Sequence, residues 1–144
     1  MKIKDYSKGD EIEILELFKN SFNKDMSLSY WNWRYIKNPV NLQLIKLMYE
    51  EDSLIGHYAV SPMYFEIEGQ KELAALSMTT MTHPSHSGKG IFKTLANNLY
   101  DYIFENYGIK LVYGFPNYNS HYGFLKNLQW VDVELISNFC LDSK

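Results

Sequence analysis

The chain has 144 residues, of which 46% are hydrophobic, and its formal net charge is -3 with a pI near 5.8. This size and composition are typical of one globular domain with its own core, and the acidic charge argues against a nucleic-acid binder, which usually carries a basic face. The single cysteine, Cys140, excludes an internal disulfide and a cysteine-based zinc site.

Hydropathy along the chain bears on its location. The N-terminal residues 1–5 contain no apolar core of a signal peptide. No run approaches the roughly 18 apolar residues that a membrane span needs. Together with the single cysteine, these features predict a soluble, cytoplasmic protein that binds neither membrane nor nucleic acid.

The first part of the chain predicts two helices followed by antiparallel strands. Alternation predicts a strand over 2–6, and apolar residues at helical spacing predict a helix over 11–22. A second helix is expected over 29–37, where Asn38-Pro39 ends it. Three strands joined by turn residues follow, at 42–49, 54–68 (interrupted by Pro62) and 73–82.

A change of periodicity marks the second part. After the loop 83–90, apolar residues recur every four positions from Ile91 to Ile103, which predicts a helix closed by Gly108. The remaining elements are expected to be a strand at 109–115, a loop at 116–120, a short helix at 121–128 and a strand at 130–141. This order predicts a mixed α/β sheet with one crossover helix.

A glycine-containing turn between a strand and a helix is a candidate anion site. Free N–H groups at a helix start point outward, and the helix dipole adds partial positive charge. Gly88 and Gly90 permit close approach of a phosphate to the backbone, and Lys89 and Lys93 add charge. The expected ligand is therefore a phosphate or a pyrophosphate.

Two common phosphate-binding motifs do not fit this turn. A Walker loop would need glycine in place of His83 and Ser or Thr in place of Gly90. The dinucleotide fingerprint would need a third glycine where Lys93 stands, and it belongs to a parallel fold.

The stretch from Thr82 to Phe92 resembles the Gln/Arg-x-x-Gly-x-Gly/Ala motif of the GNAT superfamily of acetyl-CoA-dependent N-acetyltransferases. Gly90 matches the central glycine, whereas Ser87 replaces the Gln or Arg and Phe92 replaces the final Gly or Ala. The segment 124–130 is similar to the family's late Tyr-x-Lys-Leu-Gly-Phe segment, and the order of elements also agrees. The resemblance extends over about residues 2–130.

The resemblance implies the GNAT fold, an α/β fold with a mixed, mostly antiparallel sheet, splayed fourth and fifth strands and helices on both faces. It also implies acetyl-CoA as cosubstrate, with no metal. The expected coenzyme contacts are Thr80, Met81 and Thr82 for the pantetheine arm, and Ser87, Gly88, Lys89, Gly90, Ile91 and Phe92 for the pyrophosphate. Asn117 or Asn119 is expected to contact the coenzyme as well.

The family mechanism is direct attack of an amine on the thioester. A backbone N–H of the fourth strand, from Met81 or its neighbour, would stabilise the oxyanion. Many members use a tyrosine of the late helix as the acid, but Leu125 stands there, and Tyr122, one helical turn earlier, is expected to substitute. Packing is the alternative role of Tyr122. The base is one of His57, His83 and His121, or bulk water.

The resemblance leaves the acceptor open between a small-molecule amine and an amino sugar. The aromatic segment 30–35 helps to shape the acceptor pocket or is a buried stripe of the core. The alternative functions are a non-catalytic acyl-CoA-binding or regulatory domain and an unrelated phosphate-binding module. A metal site at His83 and His86 is disfavoured because these residues lack acidic neighbours in the sequence.

The C-terminus predicts a single domain over 1–144 that lacks the last strand of the family fold. Only Asp142 to Lys144 follow the strand expected at 130–141, which leaves no room for a seventh strand. The unpaired edge at Val131, Val133, Leu135 and Phe139 is expected to be covered by a homodimer or by a missing C-terminal region. The alternative is a bend that splits 130–141 into two short strands.

Overall fold

In the described part of the chain, five strands form one mixed sheet in which neighbours along the chain are also neighbours in space. The computed structural model describes residues 1–134 and 136. The strands are β1 (Lys2–Asp5), β2 (Leu44–Glu50), β3 (Ser53–Ile67), β4 (Gln70–Thr82) and β5 (Leu111–Tyr113). The first four pair antiparallel, whereas β5 runs parallel to β4. This reversal follows from the crossover helix between β4 and β5.

Helices cover both faces of the sheet, which confirms the expected fold class. They are α1 (Glu11–Phe22), α2 (Leu28–Trp31, continued by a π-helical turn over Asn32–Ile36), α3 (Ile91–Tyr107) and α4 (Tyr118–Leu128). One core lies under α1 and α2 and includes Leu17, Trp31 and Tyr35. The other lies under α3 and includes Leu95 and Leu99. Within the described residues, no helix is both long enough and apolar enough to cross a bilayer.

Close packing at Gly56 fixes the start of α3 over β3. A Cβ atom at Gly56 would lie 2.5 Å from Ile91 Cγ2 and 3.0 Å from Leu95 Cδ1. Only a residue without a side chain lets the first turn of α3 approach the strand this closely. The position of the helix N-terminus is therefore set by the core.

The expected interruption of the long second strand of the meander at Pro62 is wrong. β3 continues through Pro62, which lies opposite Ala75 of β4. Pairing between β2 and β3 ends at Leu44 opposite Val60, so the proline nitrogen faces an edge that β2 no longer occupies. No ladder hydrogen bond is lost there, and the strand tolerates the proline.

Two expected boundaries near the C-terminus also change. Part of the loop expected over 116–120 is helical, because Asn117 Oδ1 accepts a hydrogen bond from Ser120 N at 3.0 Å and caps α4. Residues 130–134 form no strand. Most of the remainder of the strand expected at 130–141, with Leu135 and Phe139, lies outside the described residues.

Candidate functional site

The loop between β4 and α3 leaves a run of backbone N–H groups without acceptors among residues 1–134 and 136. Gly88 and Gly90 have φ angles of 80° and 75°, which glycine adopts without strain. The first helical hydrogen bond runs from Thr94 N to Gly90 O at 3.0 Å. Among the described residues, the amides of 88–93 donate no hydrogen bond, whereas Ser87 N donates to Pro84 O at 3.3 Å. The free set of amides therefore begins at Gly88.

Polar contacts fasten this loop to the strands beneath it. His83 N donates to Ile55 O at 2.9 Å, which extends the β3–β4 ladder. His86 Nε2 lies 2.8 Å from a carboxylate oxygen of Glu50, and Lys89 Nζ lies 4.0 Å from the same oxygen. The hydrogen bond from His86, with Lys89 nearby, lowers the pKa of Glu50. The loop is thus held in place while its amides stay free for an anion.

The two histidines considered for a metal are joined by a hydroxyl group. Ser85 Oγ lies 2.7 Å from His83 Nδ1 and 2.8 Å from His86 Nδ1. In the described part of the chain, His, Cys, Asp and Glu side chains form no group of three that could hold a metal ion. The histidines here shape the loop.

β4 and β5 separate after three paired positions, the last of which joins Leu76 to Tyr113. Next to this point, a Cβ atom at Gly114 would lie 3.2 Å from the Trp130 ring and 3.5 Å from Ser77 Cβ. From Ser77 to Thr82, β4 has no partner on this side among the described residues. The sheet therefore opens a gap that leads toward the free amides.

The edge of β4 in this gap contains a β-bulge. His57 pairs with Met81 and Ala59 with Met78, so Tyr58 alone lies opposite both Thr79 and Thr80. Thr79 has a φ angle of 50°, which is uncommon for a β-branched residue. Bulges of this kind re-aim the backbone and occur next to active sites.

His57 supports the bulge from inside the core. Its Nδ1 lies 2.8 Å from Thr79 O, and because a carbonyl oxygen only accepts, Nδ1 carries the proton. The side chain is fully buried, and desolvation lowers its pKa to about 4. Among the described residues, Trp31 Nε1 and His57 Nε2 are buried atoms of this core that lack a hydrogen-bond partner.

Acidification is expected to destabilise the fold through His57. The pKa of His57 is about 4 in the folded protein, whereas that of an unfolded histidine is ~6.5. Between these two pKa values the unfolded chain binds more protons than the folded one. The contribution of His57 to stability is therefore fully present above the unfolded pKa and is lost as the pH falls toward the folded pKa. We expect a loss of about 2 kcal/mol between about pH 7 and pH 5.

Urea unfolding of the wild type and of His57→Leu at the two pH values measures this effect. The leucine variant cannot titrate at this position, so its stability should depend less on pH. An equal pH dependence in both proteins would contradict the assignment.

α4 packs against the start of α3 and carries several polar groups on its exposed surface. The Phe92 and Phe124 rings lie 5.1 Å apart and join the two helices. Tyr122 is 64% exposed, and its hydroxyl oxygen accepts a hydrogen bond from Lys126 Nζ at 2.6 Å. Asn119 lies exposed in the first helical turn. The structure thus places Tyr122 on the surface of α4, and Leu125 is half-buried.

The aromatic segment near α2 divides between core and surface. Trp31 and Tyr35 are buried, as the core interpretation expects. Tyr30 and Trp33 are exposed, and their ring centroids lie 5.5 Å apart. The segment therefore supplies both a buried stripe and a surface aromatic pair.

Sequence reasoning missed the part that His57 and Thr79 play in shaping β4. One signal was available: Met78 and Met81 are three positions apart, and both pack in the core under α1. In a regular strand, residues an odd number of positions apart face opposite sides. This spacing reveals an extra residue in β4.

A family model described as "Acetyltransferase (GNAT) domain" matches residues 2–131. No curated protein matches the sequence. An aminoglycoside 6'-N-acetyltransferase from Acinetobacter haemolyticus is similar in structure, with a TM-score of 0.74, 14% identity and 100% of both chains covered.

Two further solved structures show the same fold. Glucosamine-6-phosphate N-acetyltransferase from Arabidopsis thaliana has a TM-score of 0.73 and 14% identity, with 96% of this chain and 97% of that chain covered. A protein described as a transcriptional regulator from Bacillus halodurans has a TM-score of 0.74 and 16% identity, with 96% of this chain and 99% of that chain covered.

Proposed function

The chain belongs to the acetyltransferase (GNAT) family and is therefore an acyltransferase domain, and we propose that it transfers an acetyl group from acetyl-CoA to the amine of a small molecule or amino sugar by direct attack. The observation that carries the proposal is the position of the free amides of 88–93 next to the open edge of β4. One ligand with a phosphate end and an extended, hydrogen-bonding arm matches both features.

The pyrophosphate of acetyl-CoA would bind the amides from Gly88 to Phe92, with Lys89 contributing charge. The Ser87 hydroxyl remains exposed for a further contact. Thr80 to Thr82 would pair with the amides of the pantetheine arm, as an added strand does. Asn119 is favoured over Asn117 for a coenzyme contact because Asn117 Oδ1 already caps α4.

The register of β4 favours a neighbour of Met81 as the oxyanion donor. His83 N donates across the ladder to Ile55 O, and alternate residues turn their amides to the same side. The Met81 amide then faces β3, whereas those of Thr80 and Thr82 face the gap. We assign the oxyanion contact to Thr80, which lies at the bulge.

Tyr122 is the proposed acid that protonates the departing thiolate. Since Lys126 Nζ donates to the tyrosine oxygen, the O–H proton of Tyr122 is free to be donated. For the amine, we favour loss of its proton to water. His57 is buried, and both His83 and His121 hold other hydrogen bonds.

The exposed pair Tyr30 and Trp33 supports an amino-sugar acceptor, because aromatic faces suit the apolar face of a sugar ring. Two similar structures are named for acetylation of aminoglycosides and of glucosamine-6-phosphate. The net charge of -3 suits a cationic amine and disfavours nucleic acid. The single cysteine supports a cytoplasmic location.

A second candidate is a non-catalytic acyl-CoA-binding or regulatory domain. The observation that favours it is Leu125, an apolar residue where the family usually has its catalytic tyrosine. This candidate shares the coenzyme site with the first and differs from it only in turnover.

Thiol release from acetyl-CoA, measured against an aminoglycoside, glucosamine-6-phosphate and a simple alkylamine, tests the proposal. Thiol release with acetylated amine in the mass spectrum supports the enzyme. Calorimetric binding of CoA without release supports the second candidate. Absence of both binding and turnover contradicts both, and nucleotide binding would then point to an unrelated phosphate-binding module.

A further inference from the structure

The backbone at Thr79 holds a conformation that its own side chain disfavours. Its φ angle is 50°, and β-branched residues rarely occupy this region. The two residues Thr79 and Thr80 lie opposite the single residue Tyr58, so the regular ladder is interrupted here. A contact from elsewhere must therefore stabilise this turn of the strand.

One such contact comes from His57. Its Nδ1–H donates to Thr79 O at 2.8 Å, and the imidazole is fully buried beside the Tyr35 ring, with centroids 6.0 Å apart. A hydrogen bond in such a dry environment is stronger than one in water. His57 also flanks the bulge in register, since it pairs with Met81 on the β4 side.

Peptide planarity carries the effect from His57 to the gap. The carbonyl of Thr79 and the N–H of Thr80 belong to one peptide unit, and in a trans unit they point in opposite directions. When His57 holds the Thr79 oxygen on the core side, the Thr80 N–H is directed away from it. The Thr79 C=O and the Thr80 N–H cannot rotate separately, because both belong to the same planar peptide unit.

We propose that His57 is a positioning residue. Its hydrogen bond to the Thr79 carbonyl orients the Thr80 N–H toward the site of the thioester carbonyl. This inference rests on the proposed acetyl transfer. His57 touches neither substrate. It acts through one peptide unit, and its removal would leave the pyrophosphate site intact.

His57→Asn and His57→Leu form a matched pair that separates the donor from the volume. Asparagine Nδ2 branches from Cγ as histidine Nδ1 does, so it retains the donor, whereas leucine has a similar shape without one. We expect His57→Leu to lower kcat about tenfold or more with the KM for acetyl-CoA nearly unchanged, while His57→Asn stays within about threefold of the wild type. Thermal unfolding tests whether both variants are folded.

Nuclear magnetic resonance of the wild type provides a readout that does not depend on turnover. The imidazole nitrogens should show the Nδ1–H tautomer, and the Thr80 amide signal should shift in His57→Leu and not in His57→Asn. If no amine is acetylated, the proposed function fails. These signals still test the hydrogen bond from His57 to Thr79. If the leucine variant does not fold, the tautomer of His57 in the wild type still tests the contact.

Three results would overturn the inference. One is an Nε2–H tautomer in the wild type, since His57 could not then donate to Thr79. Another is a normal kcat in folded His57→Leu. The third is an equal loss of kcat in the leucine and asparagine variants, which would show that the donor is not what matters.

Discussion

Replacing Gly90 by valine is expected to weaken acetyl-CoA binding about a hundredfold. Gly90 has a φ angle of 75° immediately before α3, and valine strongly disfavours this conformation. To relieve the strain, the turn must rotate, and the free amides of Ile91 and Phe92 then lose their common direction. A hydrogen bond to a charged group contributes about 1.5–3 kcal/mol, so the loss of one or two such bonds gives this factor.

Gly69→Val is the matched control. Gly69 has a φ angle of 76°, and a Cβ atom there, as at Gly90, would meet nothing within 4 Å. Both variants are expected to lose about 1–2 kcal/mol of stability from backbone strain. Calorimetry with acetyl-CoA should show weakened binding for Gly90→Val alone. Wild-type affinity in a folded Gly90→Val protein would place the coenzyme elsewhere.

Tyr122→Phe is expected to lower the turnover number about a hundredfold, because general acid catalysis contributes a factor of this order. The KM for acetyl-CoA should change little, since in the proposed mechanism the hydroxyl would act only on the departing sulfur. Tyr122 is 64% exposed, so the loss of its oxygen should leave the fold intact. Steady-state kinetics with a saturating amine measures both parameters.

Tyr118→Phe serves as the control on the same helix, because Tyr118 is 96% exposed and has the same side chain. Its turnover should equal that of the wild type. A pH profile adds a second readout, since the loss of an acid should remove one limb of the wild-type curve. Unchanged turnover in Tyr122→Phe would return this tyrosine to a surface role.

Local signals in the sequence were sufficient to predict that the helices exist and that a glycine turn precedes α3. Apolar residues every four positions and a closing glycine identified α3, whose C-cap, Gly108, has the expected left-handed conformation. Gly88 and Gly90 marked a turn with positive φ angles for the same local reason. These features depend on residues close together in the chain, so periodicity and turn chemistry reveal them.

Features that depend on distant residues were not visible in the same way. Whether Pro62 breaks a strand depends on where β2 ends, and that is decided by the pairing of Leu44 with Val60. The contact from His57 to Thr79 joins residues 22 positions apart across two strands. Side-chain type suggested His57 as a base, whereas burial makes it a neutral donor.

The extra residue in β4 also affects how this chain should be aligned with its relatives. Met78 and Met81 face the same core although an odd number of positions separates them. To align with a relative whose strand has no bulge, this chain needs a one-residue gap in the relative opposite Thr79 or Thr80. Without that gap, an alignment that is correct before Thr79 is shifted by one residue after Thr80. The shift then affects the rest of β4 and the glycine turn that follows it.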